Sequence, residues 1–151
     1  MAVSRFVSSV AGLGLAFDIR EMDDTTHTAE EAAAALGCSV AAIVKSLLFA
    51  SNDEFVLVLA SGVNRVDTDL VSAILGTPVV MANAKAVKVV TGYSIGGVPP
   101  LGHPTPIATI IDESLLALPE VWAAAGSSRA VFPIKPHELA TLTNAMVARV
   151  S

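Results

Sequence analysis

The chain has 151 residues, 53% of them hydrophobic and 15% charged, with a mean hydropathy of +0.66. Nine Lys and Arg stand against fourteen Asp and Glu, a net charge of −5, which excludes the usual balance of a protein gripping a long stretch of nucleic acid through its phosphates: either nucleic acid is not the partner, or only a short end of it is read. The single cysteine, Cys38, excludes an internal disulfide and a Cys-clustered zinc site, and runs such as Phe55 to Ala60 fall far short of the ~20 apolar residues of a bilayer span.

A chain of this length suits one domain, 1–151, with a real core. The stretch Met1 to Phe17 carries one Arg and is broken by Gly12 and Gly14, a poor match to a secretory leader. A cytoplasmic location is therefore expected, with Cys38 as a small buried filler.

In chain order, Ser4 to Leu13 reads as a short helix and Leu15 to Met22 as a strand, its apolar residues alternating with Ala16, Asp18 and Arg20. In T-T-H-T-A-E-E-A-A-A-A-L-G, Thr28 and Glu31 form a capping box and Gly37 supplies the stop. Ser39 begins another helical turn that runs into a strand, Val44 to Phe49. Ser51 to Glu54 turns the chain, and Phe55 to Leu59 returns as the second arm of a hairpin. Asp67 caps a helix from Thr68 to Leu75 ended by Gly76; Asn83 caps another from Ala84 to Val90 ended by Gly92. Strands follow at Ile107 to Ile111, Val121 to Ala125 and Ala130 to Ile134, then a helix from Pro136 and a last strand, Met146 to Val150. Hairpins without strict βαβ alternation predict an α+β fold: a mixed sheet, curved or partly closed, with helices packed on its outside.

No nucleotide-binding P-loop, serine-nucleophile elbow or zinc-protease motif occurs, and His27, His103 and His137 are scattered, so no metal site is expected. Lys45 is the one ionised residue in A-A-I-V-K-S-L-L-F, placed either at a sheet end, with its ammonium reaching water, or in a lined pocket where it would bind an anion or polarise a carbonyl. The segment T-G-Y-S-I-G-G-V-P-P-L-G-H, 91–103, can be neither helix nor central strand. It is a rigid connector or a working surface on which the adjacent amides of Gly96 and Gly97, stiffened by Val98, Pro99 and Pro100, converge on an oxygen. Ser61, Gly62 and Arg65 follow one strand, and Gly126 to Arg129, with Ser127, follow another; loops at strand ends either line a site or, more often, only turn the chain. Trp122 and Phe132 read as core residues.

Four segments, T-x-T-A-E-E-A-A-x-x-L-G, I-V-K-S-L-L-F, T-G-Y-x-x-G-G-V-P-P and P-x-E-L, together resemble the YbaK/EbsC family, which includes the editing domain of bacterial prolyl-tRNA synthetase. The likeness runs from about Ala16 to Val150. It implies hydrolysis of the ester joining a wrong small amino acid to the 3′ CCA end of a tRNA, typically tRNA for proline carrying alanine or cysteine, with no cofactor or metal. Prolyl-tRNA synthetase is then a candidate partner; DNA and membrane are not. The resemblance assigns catalysis to Lys45 and the Gly96 to Pro100 loop. Substrate contacts are expected from Ser61, Gly62, Arg65, Val98, Pro99, Pro100 and Ser127, and from Phe132, which cannot hydrogen-bond, whereas some relatives carry a polar side chain near Arg129 to Phe132. The alternative from another class is a non-catalytic module that binds a tRNA end or small ligand beside a synthetase.

Overall fold

The computed structural model describes residues 2–23 and 28–151. His27, expected as an ordinary exposed histidine beside a helix start, lies outside them. The first helix, α1 (Ala2–Ala11), begins two residues earlier than its sequence pattern suggests and buries Phe6 and Val10, one turn apart on one face.

The expected strand over 15–22 keeps its alternation of half-buried Leu15, Phe17 and Ile19 with exposed Ala16, Asp18 and Arg20. Only β1 (Arg20–Glu21) forms a ladder, antiparallel to β7 (Ala130–Ile134), with Arg20 opposite Val131. Continuing that register sets Asp18 opposite Pro133, which has no N–H to offer, so the pairing stops. A third strand, β6 (Val121–Ala124), completes this antiparallel sheet in the order β1-β7-β6.

The second sheet is mixed. Strands β2 (Val44–Ser51) and β3 (Glu54–Ser61) form the expected hairpin, with Ser51 opposite Glu54 and Asn52 at a φ of 57° in the turn. Short β4 (Val80–Met81) pairs with the far end of β2, while β5 (Ala108–Asp112) and β8 (Met146–Ala148) add in parallel beyond β3. The order is β4-β2-β3-β5-β8. Central β3 buries both faces: Leu57 and Leu59 enter a large core with Phe6, Tyr93, Val98 and Phe132, while Val56 and Val58 pack on the other side with Val71 and Val79. The α+β architecture with a mixed sheet is as expected; the division of its strands between two sheets, joined by a bridge from Ile43 to Trp122, was not evident from pattern.

Helices α2 (Ala29–Leu36), α3 (Thr68–Leu75) and α4 (Ala84–Thr91) carry the expected caps: Thr28, Asp67 and Asn83 accept main-chain N–H bonds, and Gly37, Gly76 and Gly92 close them in the left-handed region. Helix α5 (Pro136–Thr143) opens on its proline and buries Leu139. The C-terminal strand is shorter than expected, and a buried carboxylate anchors the residues beyond it. Asp112 accepts from Val150 N–H at 3.4 Å and from the Ser151 hydroxyl at 2.6 Å. Among the described residues no helix is long and apolar enough to cross a membrane.

Candidate active site

A cavity of about 320 Å³ opens where the outer edge of β2 faces α2, β6 and the glycine loop. In β2 the carbonyl of Leu48 accepts from Ala82, away from β3, which fixes Val44, Ser46 and Leu48 as the residues whose main-chain groups point off the hairpin. That edge is covered by β6 at Ile43 and by β4 from Leu48 onward. Between them, Ser46 turns an unpaired strand edge toward the cavity, which is why six consecutive residues, Ile43 to Leu48, line it.

The glycine loop enters from α4. The Thr91 hydroxyl, fully buried, donates to the Val87 carbonyl at 2.7 Å and accepts from Tyr93 N–H at 3.1 Å, and the Arg5 guanidinium lies 4.8 Å from the Tyr93 ring centre. Burial raises the Tyr93 phenol above its ordinary range, with Arg5 opposing the shift. Ser94 to Gly97 then form a tight turn in which Gly97 N–H donates to the Ser94 carbonyl at 2.9 Å and Gly96 sits at a φ of +88°. That φ belongs to the third position of a type II turn, where glycine is favoured.

The paired-amide expectation therefore needs correction: the Gly97 donor is occupied within its own turn. Gly97 is also buried against the facing loop, where a Cβ would stand 2.8 Å from the Ser127 Cα and 2.9 Å from the Gly126 carbonyl. Its lack of a side chain serves the approach of a second backbone rather than of a ligand. Gly96 and Val98, by contrast, both line the cavity, and neither N–H has a partner among the described residues.

Lys45 lines the same cavity as Gly96 and Val98. Strand alternation turns its side chain toward the face of Leu47 and Phe49, opposite to Ser46, and its ammonium donates to the Asn64 carbonyl. The Asn64 amide donates to the Ser114 hydroxyl at 3.0 Å, which donates to Asp112 at 3.1 Å. The lysine is thus held by a chain of bonds that ends on a buried carboxylate.

The other expected contacts divide differently. Phe132 is a correction: it is wholly buried, stacked on Phe17 and Phe6 at centroid distances of 4.4 and 5.3 Å, and out of reach of a ligand. Ser61 is buried and donates to the Ala41 carbonyl at 2.7 Å, while Gly62 packs so tightly that a Cβ would meet the Val40 carbonyl at 2.6 Å. Both act in the frame, not in the lining. Arg65 is exposed and does not line the cavity. Pro99 and Pro100 are buried behind Val98. Ser127 backs Gly97, and its neighbour Ser128 lines the cavity instead.

The Pro99 carbonyl receives a bond from His103 at 2.7 Å, with Nε2 as the donor of a neutral ring. Burial lowers the pKa of His103 below its ordinary 6.5, more than that bond raises it. Because the unfolded chain takes up this proton at a higher pH than the folded one, stability is full above about pH 6.5 and falls as pH drops toward the folded pKa. Urea midpoints at pH 7.5 and 5.5 should show this loss in the wild type and a smaller one in His103→Gln.

A profile of the aminoacyl-tRNA editing domain matches residues 23–142. The chain belongs to the aminoacyl-tRNA editing domain family. It is 32% identical over 123 residues to the Bacillus subtilis protein YwhH, covering 81% of this chain and 78% of that protein. It is 35% identical over 106 residues to a proline–tRNA ligase of Bacillus licheniformis, of which it spans only 18% of the length. A solved structure described as a candidate trans-editing enzyme for prolyl tRNA synthetase superposes with a TM-score of 0.96 at 42% identity, over 99% of this chain and 96% of that one.

Within this editing-domain cavity, several lining residues escaped sequence reasoning: Met22, Thr28, Ser46, Ile95, Trp122 and Ser128. Trp122 joins a small core with Ala32, Ile43 and Val131, as expected of a core residue, yet it also lines the cavity, with the Arg20 guanidinium 5.1 Å from its ring centre. A hydroxyl at position 46 in an otherwise apolar strand was the one available signal. Among the described residues no three His, Cys, Asp or Glu side chains gather as metal ligands.

Proposed function

We propose that this chain is a trans-editing hydrolase that cleaves the ester between a mis-attached small amino acid and the 3′-terminal adenosine of a tRNA, with tRNA for proline carrying alanine or cysteine as the first candidates. The observation that carries the reading is that Lys45, Gly96 and Val98 all line one cavity in a chain of the editing family. Its rim is exposed and partly polar, at Thr28, Gly96 and Ser128; its floor is apolar, at Val44, Leu48, Ala82 and Val98. A tRNA body cannot enter such a space, but an adenosine carrying a small acyl group can.

An aminoacyl ester is already activated, so hydrolysis requires a positioned water and stabilisation of the tetrahedral oxyanion. The N–H groups of Gly96 and Val98 supply that stabilisation in place of the Gly96 and Gly97 pair, each donor worth about 2.7–4 kcal/mol where geometry matches. Lys45 anchors the terminal phosphate or ribose. The vicinal ribose hydroxyl assists the water, whose oxygen bonds to the carbonyl carbon as the ester C–O bond breaks and the departing ribose oxygen takes a proton. Reading only the CCA end needs few phosphate contacts, consistent with the net charge of −5. Exposed Lys88 and Arg129 are additional cations for that end.

The test is a deacylation panel over tRNAs charged with alanine, cysteine, serine, threonine and proline, alone and with prolyl-tRNA synthetase. At least one mischarged ester should be hydrolysed well above the background rate. Retardation of charged tRNA with every ester intact would instead identify a binding module.

A further inference from the structure

The floor of the cavity has one polar side chain. On β2, Ser46 shares a face with Val44 and Leu48, both members of the main core, and opposite the strand stand Ala82, Val87 and Val98. The Ser46 hydroxyl is buried and has no hydrogen-bond partner among the described residues. Every other buried side-chain oxygen or nitrogen of the described, non-exposed residues has one. An unpaired hydroxyl in such surroundings is unfavourable, and an alanine of nearly equal volume would remove the penalty at once. The same position carries the unpaired stretch of strand edge, so a main-chain N–H and C=O stand beside the hydroxyl.

We infer that Ser46 reads the side chain of the amino acid being removed, and that the substrates it selects carry a hydrogen-bonding group, a hydroxyl or thiol, close to their Cα. This rests on the deacylase reading above and names its substrate class. The rim already offers Thr28, Gly96 and Ser128 to ribose and phosphate, all exposed. Only the acyl side chain is small enough to reach the floor. A rotation of Ser46 about χ1 steps its oxygen between staggered positions and brings it to an incoming group. A seryl, threonyl or cysteinyl side chain then completes the bonding of Ser46, whereas an alanyl methyl leaves the hydroxyl buried and unsatisfied. A site built around a hydrogen bond rejects the analogue that lacks it more strongly than an apolar site rejects a missing methylene.

The test compares kcat/KM for seryl-, threonyl-, cysteinyl-, alanyl- and 2-aminobutyryl-tRNA in the wild type, Ser46→Ala and Ser46→Thr. The wild type should favour seryl over alanyl and threonyl over 2-aminobutyryl esters by about tenfold or more. Ser46→Ala should bring both ratios near one, and Ser46→Thr, which keeps the hydroxyl, should restore part of the preference. Ratios unchanged by Ser46→Ala would overturn the inference while leaving the deacylase reading intact. If no ester is hydrolysed, the deacylase reading fails, and calorimetry with seryl and alanyl amides of 3′-amino-3′-deoxyadenosine decides the role of Ser46 separately. Tighter seryl binding that Ser46→Ala abolishes supports it; equal binding of the two amides, or no binding of either, refutes it.

Discussion

Lys45→Met will reduce hydrolysis of the preferred mischarged tRNA by about a hundredfold, the scale of a substrate displaced by about 1 Å when a positioning contact is lost. Methionine keeps the length of the stem and removes the ammonium, and the half-buried position tolerates it. The melting temperature should therefore stay near that of the wild type. The ammonium is held by the Asn64 carbonyl, and the Asn64 side chain is anchored through Ser114 to Asp112, so the loss is one of a positioned cation and not merely of a charge. Lys45→Arg should recover little, because a planar guanidinium has a different reach and cannot present its protons to Asn64 and a phosphate in the same geometry. Activity of Lys45→Met within threefold of the wild type would remove this residue from the chemistry.

The second large effect belongs to a residue that does not line the cavity. Gly97→Ala forces a Cβ to 2.8 Å from the Ser127 Cα and 2.9 Å from the Gly126 carbonyl, and both obstacles are backbone. Gly126 has little room to yield, since α1 lies so close on its other side that a Cβ there would stand 2.7 Å from the Ala2 carbonyl oxygen. Overpacking of this kind costs about 1–3 kcal/mol, equivalent to roughly 2–4 °C in Tm for each kcal/mol in a chain of this size. The loop that moves carries Gly96 and Val98, and a displacement of about 1 Å in a positioning element can cost ~10²-fold in rate. Thermal melting and deacylation should thus fall together in Gly97→Ala, in contrast to Lys45→Met, where only the rate falls. Wild-type stability in Gly97→Ala would show that the two loops are not in the tight contact described.

Much of the fold was legible because it rests on local chemistry. The caps Thr28, Asp67 and Asn83, the glycine stops and the hairpin turn at Asn52 are each decided within a few residues. The strand at 15–22 was legible in its alternation but not in its pairing, because its limit is set by Pro133, more than a hundred residues away in the chain. At the cavity, Lys45 and the glycine loop stood out by residue type. Which glycine lines the cavity and which serves the packing did not: Gly96 and Gly97 are neighbours of one kind, and only the approach of the loop at Gly126 and Ser127 tells them apart. Phe132 failed for a similar reason, since its ring lies on the core face of β7, where Phe6 and Phe17 cover it. Ser46 was passed over beside the charge of Lys45.

The interruption in the sheet at Ser46 leaves a short free strand edge, the kind of edge on which another strand could add. Free strand edges recruit other strands, and chains usually blunt them with charge, proline or cover. Here the interval from Ile43 to Leu48 spans only ~16 Å at about 3.3 Å per residue, is closed at both ends by β6 and β4, and lies at the bottom of a recess. A foreign strand needs several residues in extended register, which a recess closed at both ends does not admit. The fold can therefore keep main-chain donors and acceptors open for a small guest without offering a template for aggregation.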